Sequence, residues 1–136
     1  MARASNGMAY QRGGHGPTVV LLHGIPGQAR AWERVRAELE GAFDVVVPDL
    51  IGFGHSERPS NPTIDNVGPA AQAAHVATFL DELAVREFEH LCEAMRLHSD
   101  GHTTGELAIV TCWDADRLDL ARVGITPKAS RMCTAP

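Results

Sequence analysis

Two kinds of apolar pattern alternate along the first half of the chain. Two continuous apolar runs rich in β-branched residues, TVVLLHG at 18–24 and FDVVVPDL at 43–50, are typical of strands buried on both faces of a parallel sheet. A short N-terminal strand is also expected at Met8–Gln11. Between the two runs, apolar residues recur at helical spacing and predict an amphipathic helix over 28–41: Ala31, Trp32, Val35 and Leu39. Strand, helix and strand joined by short links predict a right-handed parallel crossover.

The second half of the chain shows helical periodicity after a loop over 51–69 that is rich in glycine and proline. Apolar spacing predicts helices at about 69–84, 86–98 and 105–120, although LAIVTCW at 107–113 also has the composition of a strand. The last helix would present one apolar face, formed by Ile109, Cys112, Trp113 and Leu120. The predicted fold class is α/β, a partial parallel sheet with flanking helices followed by a helical portion.

Composition and charge exclude several functions. The chain has 136 residues and a formal net charge of -5 with mixed signs, which gives no basic stripe for nucleic acid. No segment approaches the roughly 20 apolar residues that span a bilayer, so we expect a cytoplasmic protein without a membrane partner. Three cysteines that are far apart, Cys92, Cys112 and Cys133, predict neither a disulfide framework nor a zinc knuckle, and we expect reduced, buried thiols.

HGIPG at 23–27, directly after a predicted buried strand, is followed by PDLIGFGHSERP at 48–59. Together these motifs resemble the α/β-hydrolase family, in particular its epoxide-hydrolase and haloalkane-dehalogenase-like branch, over residues 8–85. The resemblance implies that the backbone N–H of Ile25 is an oxyanion donor, a group worth about 3 kcal/mol in the barrier. A tight strand-to-helix turn that uses Gly24 and Pro26 for geometry alone remains the alternative. We also expect a cis peptide bond at Ile25–Pro26.

Other residues of these motifs are interpreted as parts of the loop scaffold. His23 could act as a base, but a histidine at the end of a buried strand is more often a hydrogen-bonded structural residue. Four residues match the D-x-x-G-x-G-x-S turn of the family and are expected to tie down loop backbone: Asp49, Gly52, Gly54 and Ser56.

The nucleophile that the family requires is missing from the sequence. Its G-x-[S/D/C]-x-G elbow has no counterpart, because GHSER at 54–58 lacks the closing glycine and LHSDG at 97–101 lacks the opening one. The acid and the histidine that follow the nucleophile in this family have no position either. We therefore expect a hydrolase of the ester, epoxide or haloalkane class that needs no cofactor, takes a small-molecule substrate if active, and has no activity alone.

The later residues resemble a different family. From Arg86 onward, and above all in DADRLD at 114–119, the chain is similar to the C-terminal part of the HD-domain metal-dependent phosphohydrolases. This resemblance implies that Asp116 is a metal ligand and that His98 lies near a substrate phosphate. An internal Asp–Arg pair and a histidine that satisfies last-turn carbonyls are the alternatives. The family's His-Asp doublet is absent, and too few ligands remain for a hard divalent metal.

The resemblance changes families near residues 84–88, and we divide the chain there into 1–85 and 86–136, or treat it as one compact unit. A natural fusion, a truncated gene and an assembly artefact would each give this pattern, and a non-catalytic fused remnant is a further alternative. A sheet of two or three strands leaves one edge open, so we expect a marginal protein that self-associates through this edge.

Overall fold

A computed structural model of the chain describes residues 1–86, 88–98, 100–119, 124–126, 128, 130 and 132–133, with the backbone alone described at 108 and 115–119. Its centre is a four-stranded sheet in the order β1-β2-β4-β3. The strands are β1 (Ala2–Arg3), β2 (Ala9–Gly14), β3 (Thr18–Val20) and β4 (Asp44–Pro48). β3 and β4 are parallel, whereas β2 pairs antiparallel with both β1 and β4. The predicted parallel pair and N-terminal strand are therefore confirmed.

β3 is shorter and less buried than its apolar run predicts. The strand ends at Val20, although the Leu21 N–H still donates to the Val46 carbonyl at 2.9 Å. Its side chains are exposed or only partly buried, while those of Val45, Val46 and Val47 on β4 are buried. The prediction that the 18–24 run is buried on both faces is therefore wrong. The physical reason is position: β3 is at the edge of the sheet, whereas β4 has a strand on each side.

The predicted helix over 28–41 forms as two shorter elements. A 3-10 helix at Ala29–Trp32 leads into α1 (Glu33–Leu39). Trp32 and Leu39 pack against a cluster of three buried residues, Ala29, Val45 and Val47. Val35, in contrast, is 41% exposed, and α1 buries none of its residues fully. The predicted stripe is thus only partly used, because Trp32 and Leu39 contact the core while Val35 does not.

The remaining helices lie close to their predicted bounds, with one addition. α2 (Ile64–Val67) forms inside the segment predicted as loop, where a reciprocal capping box between Thr63 and Asn66 starts it. α3 (Pro69–Glu82), α4 (Glu89–Leu97) and α5 (Leu107–Asp119) follow. The 107–113 segment is helical rather than extended. Among the described helices none is both long and apolar enough to cross a bilayer.

The main core lies between the sheet and α3. Its fully buried members include Met8, Val46, Val76, Phe79 and Leu80. Partly buried residues of α4 pack against the same cluster: Leu91, Cys92 and Met95. The later segment therefore shares apolar contacts with the sheet-bearing segment.

A Schellman motif joins α3 to the later segment at the point where the sequence changes its resemblance. The Val85 N–H donates to the Leu80 carbonyl and the Ala84 N–H to the Asp81 carbonyl, both at 3.0 Å. Val85 and Leu80 are both buried, so the apolar contact that accompanies this motif is present. Ala84 occupies the left-handed position with φ of 57°, where glycine is usual.

The cysteines and the face of α5 correct two predictions. Cys112 is exposed and Cys92 and Cys133 are partly buried, so the expectation of three buried thiols is wrong. α5 buries Ile109, Val110 and Trp113 against Ala94 of α4. Cys112 falls outside this face because contact with α4, rather than the apolar spacing alone, sets the rotation of the helix. Leu120 lies outside the described residues.

Candidate functional site

The loop that follows β3 carries the first candidate group. Its His23 is 5% exposed, and its imidazole Nε2 accepts the Leu50 N–H at 3.0 Å. Because an acceptor Nε2 carries no proton, the neutral ring is protonated at Nδ1 and donates to the Gly24 carbonyl at 2.9 Å. The 4.0 Å approach of His23 Nε2 to the Asp49 carboxylate is therefore not an ion pair. With both ring nitrogens in hydrogen bonds, His23 matches the structural alternative rather than a base.

Ile25 lies in the same loop, two positions after this histidine. Ile25 is 54% exposed, and the Ile25–Pro26 peptide bond is cis, as expected from the sequence. Across the residues that the structure describes, the Ile25 N–H has no hydrogen-bond acceptor. An N–H without an internal acceptor is available to an external oxygen atom.

The Asp49 carboxylate holds two loops together at the carboxyl end of β4. Asp49 is fully buried; its Oδ1 accepts the Ala29 N–H at 2.5 Å, and its Oδ2 accepts the His55 N–H at 2.9 Å. Gly54 makes this possible because a Cβ at that position would lie 2.2 Å from the Asp49 carboxyl carbon. The carboxylate therefore links the start of the 3-10 helix to the 49–56 turn.

The Ser56 hydroxyl performs a similar function on the other side of the turn. Its Oγ donates to the Asp49 carbonyl at 2.5 Å and accepts the Ala9 N–H of β2 at 2.8 Å. Gly52, which has φ of 89°, supplies the left-handed residue that the turn requires. The exposed ring of His55 approaches Asp49 Oδ2 through Nδ1 at 3.4 Å.

Gln72 is a polar residue of this region that the sequence analysis missed. It is 2% exposed, its Oε1 accepts the Ile51 N–H at 3.2 Å, and its Nε2 donates to the Ile51 carbonyl at 2.7 Å. The side-chain amide thus replaces a strand partner for Ile51 and attaches α3 to the turn. A glutamine within an alanine-rich helix, on the same face as Ala73, Val76 and Leu80, was the available signal.

A cleft of about 380 Å³ opens beside these loops. It is lined by Met1, Gln11, Gln28, Arg30, Glu33, Asp49 and His55. Ile25 is not among the lining residues. The cleft therefore does not include the Ile25 N–H.

The region where a nucleophile would be expected is helical. After α3 the chain continues into α4 and α5, and no strand follows β4 within the described ranges. A nucleophile elbow needs a strand that leads into a sharp turn before a helix. That arrangement does not form in the described part of the chain.

The second candidate site is only partly visible. His98 caps the end of α4, and its Nδ1 donates to the Met95 carbonyl at 2.8 Å, which matches the alternative of a histidine satisfying a last-turn carbonyl. The backbone of Asp116 is helical, but its side chain lies outside the described residues. Within the described residues, no group of three or more metal-ligating side chains is assembled.

One ion pair ties β2 to β4 at the end of the sheet where β4 begins. Arg12 donates to both carboxylate oxygens of Asp44, at 2.9 and 2.7 Å, and the Thr18 hydroxyl donates to the same group at 3.0 Å. The hydrogen bond from Arg12 is the main cause of a lowered pKa of Asp44, and that from Thr18 acts in the same direction. Burial of the carboxyl acts in the opposite direction. Asp44 is therefore best suited to its partners when it is ionised.

The described chain combines three features: the parallel pair of β3 and β4, a glycine-rich loop in which the Ile25 N–H has no acceptor, and a turn held by Asp49. Together they form a portion of an α/β-hydrolase scaffold. A family model described as the alpha/beta hydrolase fold matches residues 17–89, more than half of the chain. The chain belongs to the α/β-hydrolase family. The match ends at the start of α4, so the HD-domain resemblance of the later residues stays a prediction.

Individual relatives match part of the chain. A fluoroacetate dehalogenase from a Burkholderia species is 35% identical over 91 residues, which cover 66% of this chain and 30% of the relative. A soluble epoxide hydrolase from Corynebacterium sp. (strain C12) is 44% identical over 52 residues, or 38% of this chain and 18% of the relative. The chain spans only 15 to 30% of the length of the curated relatives that it matches.

Solved structures give the same result for the fold. A membrane phospholipase A, described as a novel bacterial virulence factor, is 30% identical with a TM-score of 0.56. The match covers 68% of this chain and 32% of the phospholipase chain. An alpha/beta hydrolase fold protein from Burkholderia ambifaria is 26% identical with a TM-score of 0.55, over 69% of this chain and 36% of its own. The predicted partial α/β-hydrolase architecture is confirmed.

Proposed function

We propose that this chain is the oxyanion-loop portion of a hydrolase of the ester, epoxide or haloalkane class, with the Ile25 N–H as one oxyanion donor. The observation that carries the proposal is this N–H, which has no acceptor in the described part of the chain and follows a parallel strand in a member of the α/β-hydrolase family. A tetrahedral oxyanion needs such preorganised donors where charge develops. The names of the relatives, a dehalogenase and an epoxide hydrolase, support the substrate class.

The chain alone is proposed to be inactive. Hydrolysis through a covalent intermediate needs a nucleophile, a base and an orienting acid. In the described part of the chain the exposed His55 ring lies 3.4 Å from Asp49 Oδ2, but no serine or cysteine side chain is hydrogen-bonded to it. His23 is occupied on both ring nitrogens, and Ser56 and Asp49 are occupied with backbone groups. Their hydrogen bonds support roles in holding the loop rather than in catalysis.

Turnover measurements on the purified chain test this proposal. We expect no hydrolysis above the buffer rate with short-chain esters, epoxides or haloalkanes. Ester turnover that disappears in Ser56→Ala but persists in Ser60→Ala, an exposed serine of the same loop, would refute it. A rate that is the same in all three proteins would instead indicate a contaminating hydrolase.

We also propose that copies of the chain associate through the outer edge of β3. The register with β4, together with the hydrogen bonds of Pro17 and Leu21, directs the backbone groups of Val19 to β4 and those of Thr18 and Val20 outward. No strand in the described ranges pairs with that edge. Edges with unpaired N–H and C=O groups and no charged side chain favour strand addition.

Thr18→Pro tests the association. It removes one outward N–H and the hydroxyl that donates to Asp44, while the Pro17 and Leu21 backbone groups that bond to β4 are retained. We expect a lower apparent mass in light scattering than for the wild-type chain at equal concentration. An unchanged mass distribution would argue against association through this edge.

A further inference from the structure

The Gly24 carbonyl is held from two sides. His23 Nδ1 donates to it at 2.9 Å, and a Cβ added to Gly27 would lie 2.4 Å from the same oxygen and 3.0 Å from His23 Nδ1. The carbonyl is therefore enclosed between the imidazole and the backbone of Gly27. Any side chain at position 27 would push it out of this place.

The orientation of this carbonyl fixes the orientation of the next N–H. Gly24 and Ile25 share one peptide unit, and the bond between them is trans, since Ile25–Pro26 is the cis bond of the described chain. In a planar trans peptide the C=O and the N–H point in opposite directions. Holding the Gly24 oxygen against the buried His23 ring therefore turns the Ile25 N–H away from the ring.

We infer that His23 is a positioning residue that aims the Ile25 oxyanion donor by holding the Gly24 carbonyl. The inference rests on the proposed role of Ile25. His23 can do this because its other nitrogen accepts the Leu50 N–H at 3.0 Å, which selects the tautomer with the proton on Nδ1. The Phe53 ring meets the imidazole edge-on at 6.0 Å between centroids and restricts its rotation. One histidine thus connects the turn after β4 to the donor after β3.

Nuclear magnetic resonance of the full ¹⁵N-labelled chain tests the inference. Long-range proton–nitrogen correlations should show His23 as a neutral ring protonated at Nδ1. In His23→Gln the Ile25 amide resonance should move, and its shift on titration with acetate, a carboxylate probe for the donor, should fall several-fold. His15→Gln, a change at an exposed histidine before β3, should leave both as in the wild-type chain.

The outcomes separate positioning from a purely structural role. If His23 only bridged to Leu50, its replacement would move the Leu50 amide and lower the stability but leave the acetate-induced shift of the Ile25 amide as in the wild-type chain, which would overturn the inference. A ring protonated at Nε2 in the wild-type chain would also overturn it, even if His23→Gln does not fold. An Ile25 amide that acetate fails to shift in the wild-type chain would refute the donor role. The tautomer in the wild-type chain would then still decide whether His23 holds the Gly24 carbonyl.

Discussion

Replacing Ala84 by glycine should stabilise the chain. Ala84 has φ of 57° at the left-handed position of the Schellman motif that ends α3. A left-handed conformation costs an L-residue about 1–2 kcal/mol, because Cβ approaches the following carbonyl oxygen. Glycine removes this cost but adds about 0.4–1 kcal/mol of conformational entropy to the unfolded chain. The expected net gain in the free energy of unfolding is about 0.5–1 kcal/mol, which corresponds to roughly 2–6 °C in melting temperature.

Urea unfolding followed by circular dichroism measures the effect, with Ala74→Gly as the matched control. Ala74 is exposed in the interior of α3, where glycine should cost about 0.5–1 kcal/mol. The two variants make the same chemical change and should shift the midpoint in opposite directions at an unchanged slope. If Ala84→Gly destabilises the chain as much as Ala74→Gly does, then the left-handed strain at this junction does not exist.

Two further predictions concern the polar contacts around the sheet. Ser56→Ala leaves the buried Ala9 N–H without its acceptor and should lower the free energy of unfolding by about 1–3 kcal/mol, whereas Ser60→Ala should have little effect in the same urea experiment. The lowered pKa of Asp44 means that its contribution to stability is present above the unfolded-state value of about 3.9 and is lost as pH falls through the folded-state value. Below about pH 4 the free energy of unfolding of Asp44→Asn should therefore fall less steeply with pH than that of the wild-type chain. The same pH dependence in both proteins would contradict this.

Much of the candidate site could be predicted because it depends on residues close together in sequence. The spacing of Asp49, Gly54 and Ser56 defines a turn whose main contacts join residues six or seven positions apart. The cis bond at Ile25–Pro26 likewise involves a proline within the same short loop. The buried run of β4 was equally clear, because a central strand is apolar on both faces whatever surrounds it.

The tertiary structure decided what depended on distant neighbours. The apolar run of β3 does not reveal that this strand is at an edge, and the stripe of α1 does not reveal that Val35 is left 41% exposed. Gln72 acquires its function only through Ile51, 21 positions away in the sequence. The tautomer of His23 likewise depends on Leu50, 27 positions away. Local periodicity sets which elements form, but burial and hydrogen-bond partners are set by what packs on each face, and that information lies outside any single segment.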